Sequence, residues 1–587
     1  MTNPVARLDS WAELGSVVLQ PLIDRRTLTG LLDSRCPGIR RRHHGRGLAL
    51  DAFDAVPILD WPDSEDVLVW GDGVRRMLEQ RRHVLGVHAR LHHEVERLKV
   101  EGVTAARSLL SGARTITALD DHQLVNVAAL CLPGSFGLCV FDEQGAGKTV
   151  TTVHAADLLS DRREMMTTLV VAPKSMVPEW QHEVERFMGD LYRVELLVGD
   201  RRDRMAVLAR NPDIVVTNFE AVVSMEEELR SFLRRFRGRA LLVVDESYNV
   251  KNNEARRTRA VRRLREEFDK ALVLCGTPAP NAPHDLVAQL DIVDFGYTFR
   301  DVAVPDDRDA AVPVVREAIR ARGLYTRHLK KDVLPTLPSK TFHRVAVALA
   351  PQQERAYRAA LDDLILDLRS ISDQEFAGNL GSYFARRARL LRLCSDPGSV
   401  LPGYAETPAK FSVLDELLDD WIGQSGEKVV VWSFYVATLD ALATRYARYN
   451  PVRYDGSVGS VLARREAVRK FQDDATTMLF VANPATAGSG LTLHRARRAV
   501  YESTSNQAAH FLQSVDRIHR RGQDRDVEYV VLLCDGSVEE TEFDRLLDKE
   551  TRARDLLGDT TDPPVTRESM LTELLTSARR LGGVASQ

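Results

Sequence analysis

From Gly137 onward, short apolar runs bounded by turn residues alternate with segments of helical period. The runs are GLCVF at Gly137, TTLVVAP at Thr167, DIVVTN at Asp213, ALLVVDE at Ala240 and KALVLCGT at Lys270. Runs of this kind read as strands buried on both faces, and strands separated by helical patterns predict βαβ units on a parallel sheet. A second series follows: KVVVWSF at Lys428, VRYDG at Val452, TMLFVAN at Thr477, RAVYES at Arg498 and VEYVVLLC at Val527. The pattern therefore predicts an α/β protein with two parallel-sheet lobes, over residues 119–300 and 410–555. Between them, 301–409 carries the punctuation LPTLPSK and the long helical pattern PQQERAYRAALDDLILDLRS, which predict a helical insertion and linker. Residues 1–118 differ in texture: ILDWP and VLVWGDG predict short strands, Val74 to about Val100 a helix, and the whole a small N-terminal accessory region. Residues 556–587 read as a helical or frayed tail.

Composition narrows this picture. A chain of 587 residues, 44% hydrophobic and 28% charged, is globular and long enough for about three or four domains. No apolar run approaches the ~18 residues of a spanning helix, and the start MTNPVARLDSW lacks the layout of a secretory signal, so no membrane partner and a cytoplasmic location are expected. The six cysteines form no CxxC pair and read as reduced core thiols. A net charge of -4 argues against nucleic-acid binding by bulk basicity, so any grip must be local. Basic clusters at Arg40–Arg46, Arg234–Arg239, Arg256–Arg265 and Arg386–Arg392 are candidates for phosphate contact or plain solvated faces; the first also reads as a nuclear signal or a mobile basic loop. His88 and His92 stand i,i+4, a metal-clamp spacing, but with no cysteine partners and Arg90 between them they read as an exposed polar helix face. Trp61 and Trp70 could be stacking platforms and are read as core aromatics of the accessory region.

The chemistry concentrates in DEQGAGKT, Asp142 to Thr149, where an apolar strand turns into a helix. Gly145, Ala146 and Gly147 let the backbone N–H groups approach the phosphates of ATP. Lys148 offers charge to the β and γ phosphates, and Thr149 a hydroxyl to Mg2+. Asp142 stands where the strict phosphate-loop pattern has its first glycine. Asp245 and Glu246 follow the strand ALLVV, at the carboxyl end where ligands bind in open α/β sheets. There Asp245 suits Mg2+, and Glu246 suits polarising the attacking water. Gln123, 22 residues before Gly145, carries a carboxamide able to read both polar edges of adenine.

These residues give the chain a resemblance to the Swi/Snf family of superfamily-two helicase-type ATPases, DNA translocases, over about Leu119 to Lys549. Further matching stretches are VVAPKSMVPEWQHEVERF at Val170, VKNNEARRTRAV, RHLKKDVLPTLPSK at Arg327, KFSVLDELL at Lys410, VVVWSF, YDGSV, TAGSGLTL at Thr486 and QSVDRIHRRGQ at Gln513. The resemblance implies two RecA-like lobes with ATP and Mg2+ in the cleft, moving on double-stranded DNA. It implies that Gln513, Arg517 and Arg520 form an arginine-finger motif directed at the γ-phosphate, a task suited to the guanidinium fork. Gly276, Thr277 and Pro278 match the segment that couples hydrolysis to lobe closure. Lys174, Trp180, Thr217, Ser433 and Thr486 fall in segments that touch the DNA backbone in the family, contacts that carry no sequence information.

Two departures stand out. Asp245-Glu246-Ser247-Tyr248 replaces the family's Asp-Glu-Ala-His, which puts coupling through the histidine in doubt; Asn506-Gln507-Ala508 replaces Trp-Asn-Pro, which puts one DNA-contacting loop in doubt. The leading expectation is an ATP-dependent duplex-DNA translocase. The rivals are an RNA or strand-separating helicase and an ATP-gated scaffold in repair or defence. Residues 1–118 are left as a site for protein partners.

Overall fold

The computed structural model describes residues 4–10, 15–61, 63–113, 119–236, 238–276, 278–279, 282–458, 461–486, 491–505, 508–555 and 567–581. By their contacts the residues divide into two units, Met1–Leu329 and Lys330–Gln587.

In the first unit, strands β1 (Ala6–Ser10), β2 (Ser16–Pro21), β3 (Arg41–His44), β4 (Gly47–Asp51) and β5 (Leu68–Trp70) form a mixed sheet in the order β3-β4-β2-β1-β5. Leu8, Val17, Leu19, Leu50, Ile58 and Trp61 form its core, which bears out the core reading of Trp61. VLVWGDG supplies β5 as expected. ILDWP does not form a strand: Val56–Asp60 is a 3-10 helix with Pro57 in its first turn, where a missing N–H costs nothing. The basic cluster at Arg40 is no mobile loop either. It lies largely in edge strand β3, with Arg41 paired to Asp33 and Arg40 2.9 Å from Asp54.

A helix over Val74–Leu109 continues past Val100 because Gly102 absorbs a kink at φ 63, ψ -141. Its buried positions Val74, Met77, Leu78, Arg81, Val84, His88, Leu91, Val95 and Leu98 form one stripe of helical period. His88 is therefore in the interior, against Tyr297 and Phe136. His92 lies 3.1 Å from the Gly323 carbonyl. The expected exposed face is a docking face, and Arg81, paired with Glu266, adds charge to it.

The parallel sheet of this unit contains β6 (Gly137–Val140), β7 (Thr167–Ala172), β8 (Val194–Leu196), β9 (Ile214–Asn218), β10 (Ala240–Val244), β11 (Lys270–Leu274) and β12 (Tyr325–Thr326), ordered β12-β6-β11-β10-β7-β9-β8. Every side chain of β6, β7, β9, β10 and β11 is buried, as the unbroken apolar runs require. Val140 pairs with Leu274, and Val244 with Val171 and Val273. The loops after β6, β11 and β10 therefore leave from one edge on adjacent strands: the phosphate loop, the GTPAPN segment and the Asp-Glu pair.

The second unit holds β13 (Lys340–Val347), β14 (Val429–Trp432), β15 (Val452–Tyr454), β16 (Leu479–Ala482), β17 (Arg498–Tyr501) and β18 (Val527–Cys534), all parallel, ordered β13-β18-β17-β14-β16-β15. The two-lobe α/β architecture is thus present. Residues 301–409, expected as one insertion, are shared between the units. Tyr325 and Thr326 extend the first sheet and Lys340–Val347 the second, while Pro351–Ser370 and Leu380–Ser395 are helices as the pattern predicts. In the tail, Arg567–Arg580 is a helix whose Met570, Leu574 and Ala578 are buried in a cluster with Tyr357 and Leu361, so this part is packed.

The other basic clusters are largely neutralised within the fold. Arg263 pairs with Glu226, Arg262 with Asp291, Arg234 with Glu267, and Arg387 with Glu542 and Glu573. Buried Arg265 donates to the carbonyls of Phe136, Phe268, Ile292 and Val293. All six cysteines are free and buried. No helix among the described residues is long and apolar enough to cross a membrane.

Candidate active site

After β6 the chain turns through Gly145 and Gly147, both left-handed at φ 84 and 88, into the helix Lys148–Asp161. No side chain caps the first turn of that helix, so its N–H groups face the loop and are suited to an anion. Lys148 is buried, and its ammonium donates to the Asp142 carbonyl at 2.9 Å, the Glu143 carbonyl at 3.4 Å and Gln144 Oε1 at 3.0 Å. Thr149 is half-buried beside it.

Asp142, the residue in place of a glycine, turns out to be structural. Its carboxylate is fully buried and accepts from Asn126 Nδ2 at 2.6 Å and from the His328 backbone N–H at 2.9 Å, with His328 Nδ1 at 2.8 Å. It fastens the loop to the helix Asp121–Leu130 in front and to the chain leaving β12 behind. Gln123 lies against the loop, but its carboxamide is already engaged. Oε1 accepts from the Asp120 N–H at 3.0 Å, and Nε2 donates to the Ala146 carbonyl at 3.2 Å, beside His122 at 2.7 Å. In this arrangement Gln123 braces the loop rather than presenting a free edge to adenine. A Cβ at Gly147 would collide with that carboxamide, which is a second reason for glycine there.

At the end of β10, Asp245 Oδ2 accepts from Trp180 Nε1 at 2.9 Å and Oδ1 from the Glu246 N–H at 2.8 Å. Burial pushes the Asp245 carboxyl above its ordinary value, against the opposing pull of the Trp180 hydrogen bond and the Lys148 charge. Glu246 is left-handed at φ 47, ψ 55, a costly conformation for a residue with a Cβ. Its Oε1 accepts from Gln144 Nε2 at 2.7 Å, so one carboxamide bridges Lys148 and Glu246. Ser247, noted above as a departure from the family's Asp-Glu-Ala-His, donates to Gln289 Oε1 at 2.6 Å, and Gln289 Nε2 donates to the carbonyls of Pro278 and Asp285. The acid pair is thereby tied to the GTPAPN segment without a histidine. Gly276 lies close to Gln144, and Thr277 lies outside the described residues.

Three of the five residues expected at DNA are placed otherwise. Trp180, Thr217 and Ser433 are buried; Trp180 props Asp245, Thr217 lies within β9, and Ser433 donates to Glu502 at 2.8 Å. A side chain already buried in the fold cannot meet a phosphate in this arrangement. Lys174 is exposed just beyond β7, and Thr486 is half-buried, donating to the Asn483 carbonyl at 2.9 Å.

In the second unit, the helix Ala508–Val515 leads into the arginine segment. Gln513 and Arg517 are buried and Arg520 half-buried. Both arginines turn toward the Leu491 carbonyl, Arg520 Nη1 at 2.9 Å and Arg517 Nη1 at 3.5 Å. Lys330 Nζ holds Asp516 at 2.6 Å and the His519 carbonyl at 2.7 Å, while His519 Nε2 sits 2.9 Å from the Pro338 carbonyl. These bonds join RHLKKDVLPTLPSK to QSVDRIHRRGQ, a physical reason for the two stretches to occur together. The triplet Asn506-Gln507-Ala508 falls outside the described side chains.

Sequence reasoning missed Asn126, Gln144, Gln289 and His328. Gln289 alone had a signal, a lone amide in the apolar pattern of HDLVAQLDIVD. Pairing the others needed the folded chain.

Comparison with known proteins agrees with this geometry. A model of the SNF2-related domain matches residues 120–398, and one of the helicase conserved C-terminal domain matches 409–522. The chain is 26% identical over 442 residues to the ISWI chromatin-remodeling complex ATPase ISW1 of Saccharomyces cerevisiae, covering 70% of this chain and 38% of that protein. It is 25% identical over 460 residues to the putative ATP-dependent helicase/translocase YwqA of Bacillus subtilis, covering 75% and 48%. The chain thus spans less than half the length of these relatives. A solved structure of the Sulfolobus solfataricus SWI2/SNF2 ATPase core in complex with dsDNA overlaps 74% of this chain and 93% of its own at 20% identity and a TM-score of 0.34, too loose a superposition to carry an argument. With both domain models matched in order across the two parallel-sheet units, the chain belongs to the SNF2-related family of helicase-type ATPases.

Proposed function

We propose that this chain hydrolyses ATP and converts the hydrolysis into movement along double-stranded DNA. The observation that carries the reading is the meeting of Lys148 and Glu246 on a single carboxamide, at the carboxyl ends of neighbouring parts of one sheet. A phosphate-binding ammonium and a carboxylate suited to orienting water are thereby within one side chain's reach.

The loop N–H groups and Lys148 bind and orient the triphosphate. The donor set fits Mg2+: Asp245 offers an oxygen whose ionisation burial disfavours and a cation restores, and Thr149 offers a hydroxyl. When bound, the ion supplies charge neutralisation at the phosphates. Trp180 holds Asp245 in place, and Glu246 orients the attacking water. Arg517 and Arg520 supply positive charge to the transferring phosphoryl group, exchanging the Leu491 carbonyl for phosphate oxygens. Ser247 and Gln289 transmit the state of the acid pair to Pro278. Lys174 and Thr486 remain as backbone-contacting candidates, and the likeness to a Bacillus subtilis protein named as a putative ATP-dependent helicase/translocase supports a nucleic-acid track, which the family resemblance makes duplex DNA. Residues 1–118 lie outside both matched domains and are assigned to partner recognition.

The test is ATPase activity with duplex DNA, single-stranded DNA and RNA, in the wild type, Lys148→Ala and Glu246→Gln. Lys148→Ala should impair nucleotide binding, and Glu246→Gln should keep binding and stop turnover. Duplex DNA should stimulate most, and the protein should displace a triplex strand while leaving a forked duplex paired. Stimulation by RNA or single strands alone replaces the translocase reading with a helicase; activity unchanged in both variants removes the enzyme assignment.

A further inference from the structure

The helix Val74–Leu109 lies outside the matched domains, yet its side chains reach the strand that braces the phosphate loop from behind. Along its length the helix docks on the first lobe. Arg76 lies 3.5 Å from Glu267, His83 Nε2 donates to the Gly134 carbonyl at 2.8 Å, and Arg90 Nη2 donates to that of Pro133 at 3.1 Å. Further on it meets β12. His92 Nδ1 donates to the Gly323 carbonyl at 3.1 Å, and Lys99 Nζ lies 3.8 Å from the centre of the Tyr325 ring.

An edge strand of two residues has little stability of its own, because few hydrogen bonds offset the entropy lost in ordering it. The pairing of β12 with β6 nevertheless runs on into the phosphate loop. The N–H groups of Cys139, Phe141 and Glu143 donate at 2.9 Å to the carbonyls of Leu324, Thr326 and His328. His328 in turn donates to the Asp142 carboxylate from its main-chain N–H at 2.9 Å and from its ring at 2.8 Å. Asp142 and Glu143, gripped in this way, supply the two main-chain carbonyls that hold the Lys148 ammonium. Direct contacts therefore lead from His92 and Lys99 through β12 and His328 to Lys148.

We propose that the accessory helix is a positioning element of the nucleotide site: through His92 and Lys99 it holds β12 in register, and His328 at the end of that strand sets where the phosphate loop presents Lys148. The proposal rests on the ATPase reading. It gives residues 74–109 a role inside the enzyme in addition to partner recognition, and it divides the contacts of one helix into two kinds. Those of His92 and Lys99 act on the loop, whereas that of Arg76, about 35 Å from Lys99 at 1.5 Å per residue, only docks the helix.

The experiment measures binding of a fluorescent ATP analogue, turnover and thermal melting in the full chain. The variants are His92→Ala combined with Lys99→Met, His328→Leu, His328→Asn and Arg76→Ala. His328→Leu removes a hydrogen bond to a charged group, so nucleotide binding should weaken roughly tenfold. His328→Asn, whose amide nitrogen can replace Nδ1 as donor, should recover most of that loss. The His92/Lys99 pair should weaken binding several-fold and Arg76→Ala should leave it unchanged, at similar melting temperatures. Affinity that simply follows the melting temperature in every variant, Arg76→Ala included, would make the helix a structural support and overturns the proposal. So does unchanged affinity in the His92/Lys99 pair, whatever His328→Leu does. Either outcome is separate from failure of the ATPase reading, in which Lys148→Ala binds nucleotide normally and Glu246→Gln still hydrolyses it.

Discussion

The two units use the same architecture to hold charged groups in different ways. In the first, the edge formed by β6, β11 and β10 gathers Asn126, Asp142, Gln144, Lys148, Trp180, Asp245, Glu246 and Gln289, and each is hydrogen-bonded to another part of the site. In the second, the arginines of the candidate finger turn toward a main-chain carbonyl at Leu491, and buried ammonium groups hold the unit together. Lys410 is fully buried on Glu539 at 2.7 Å and on the Glu502 carbonyl at 2.6 Å, and Lys330 is held by Asp516. One half is thus a preassembled polar network, and the other a scaffold on which the candidate-finger arginines donate to a main-chain carbonyl. A network positions nucleotide and metal ligands without reorganisation, while a carbonyl is an acceptor that phosphate oxygens can replace.

The largest expected effect tests the arginine-bearing half. Arg520→Ala should lower kcat by about 10³-fold, as loss of an arginine finger does, with little change in ATP affinity. Steady-state kinetics alongside nucleotide titration separates the two, and an equal loss in affinity would make Arg520 part of the binding network, erasing the contrast with the first unit.

Next comes the scaffold itself. Burial alone would lower the Lys410 ammonium, but the charge of Glu539 raises it above its ordinary value, while burial raises the Glu539 carboxyl against the pull of Lys410. Lys410→Met should destabilise the second unit by about 3–5 kcal/mol, because it leaves a buried carboxylate without its cation. Urea unfolding measures this; Lys410→Met combined with Glu539→Leu should recover much of the loss. Recovery that fails to appear would place the energy in packing and not in the pair.

Trp180→Phe probes the network at one strut. Removing the N–H that holds Asp245 should reduce turnover about tenfold and raise the Mg2+ concentration needed for half-maximal rate, with the melting temperature nearly unchanged. A change in DNA affinity at constant Mg2+ dependence would instead return Trp180 to the DNA role first expected of it.

The smallest effect concerns a charge that neither arrangement fully accommodates. Burial raises the Asp291 carboxyl from 3.8 to about 6, with Arg262 at 3.4 Å opposing the shift and Asp294 adding to it. The folded chain thus holds this proton more tightly than the unfolded one. The stabilisation is fully present below about pH 4 and is lost as pH rises through about 6. Asp291→Asn should therefore raise stability by about 1–2 kcal/mol at pH 7.5 and remove this component of the pH dependence. Melting curves between pH 5 and 8 show it, and a destabilised variant at pH 7.5 would mean that the Arg262 pair outweighs the burial.

The parallel strands of both lobes were readable because an unbroken β-branched run has little alternative to a doubly covered strand, and GxGKT and the Asp-Glu pair were readable because phosphate and metal chemistry admit few residue types at such strand ends. The edge strands were not: Val194–Leu196 and Tyr325–Thr326 are three and two residues long, and Lys340–Val347 mixes polar with apolar residues and is largely exposed, so none carries the buried-strand signature. Nor did local pattern show that His88 faces inward, since that follows from what the helix Val74–Leu109 packs against. Fold class, the order of the chemical segments and the prominence of Lys148, Asp245 and Glu246 were legible in the residues alone. Only the tertiary structure decided that Asp142 is a fastening carboxylate, that Trp180 serves Asp245, that Gln123 braces the loop and that Gln144 joins Lys148 to Glu246. A backbone run reports its own burial through its neighbours in the chain, whereas a hydrogen bond between residues 102 positions apart exists only once the sheet has set its two strand ends side by side.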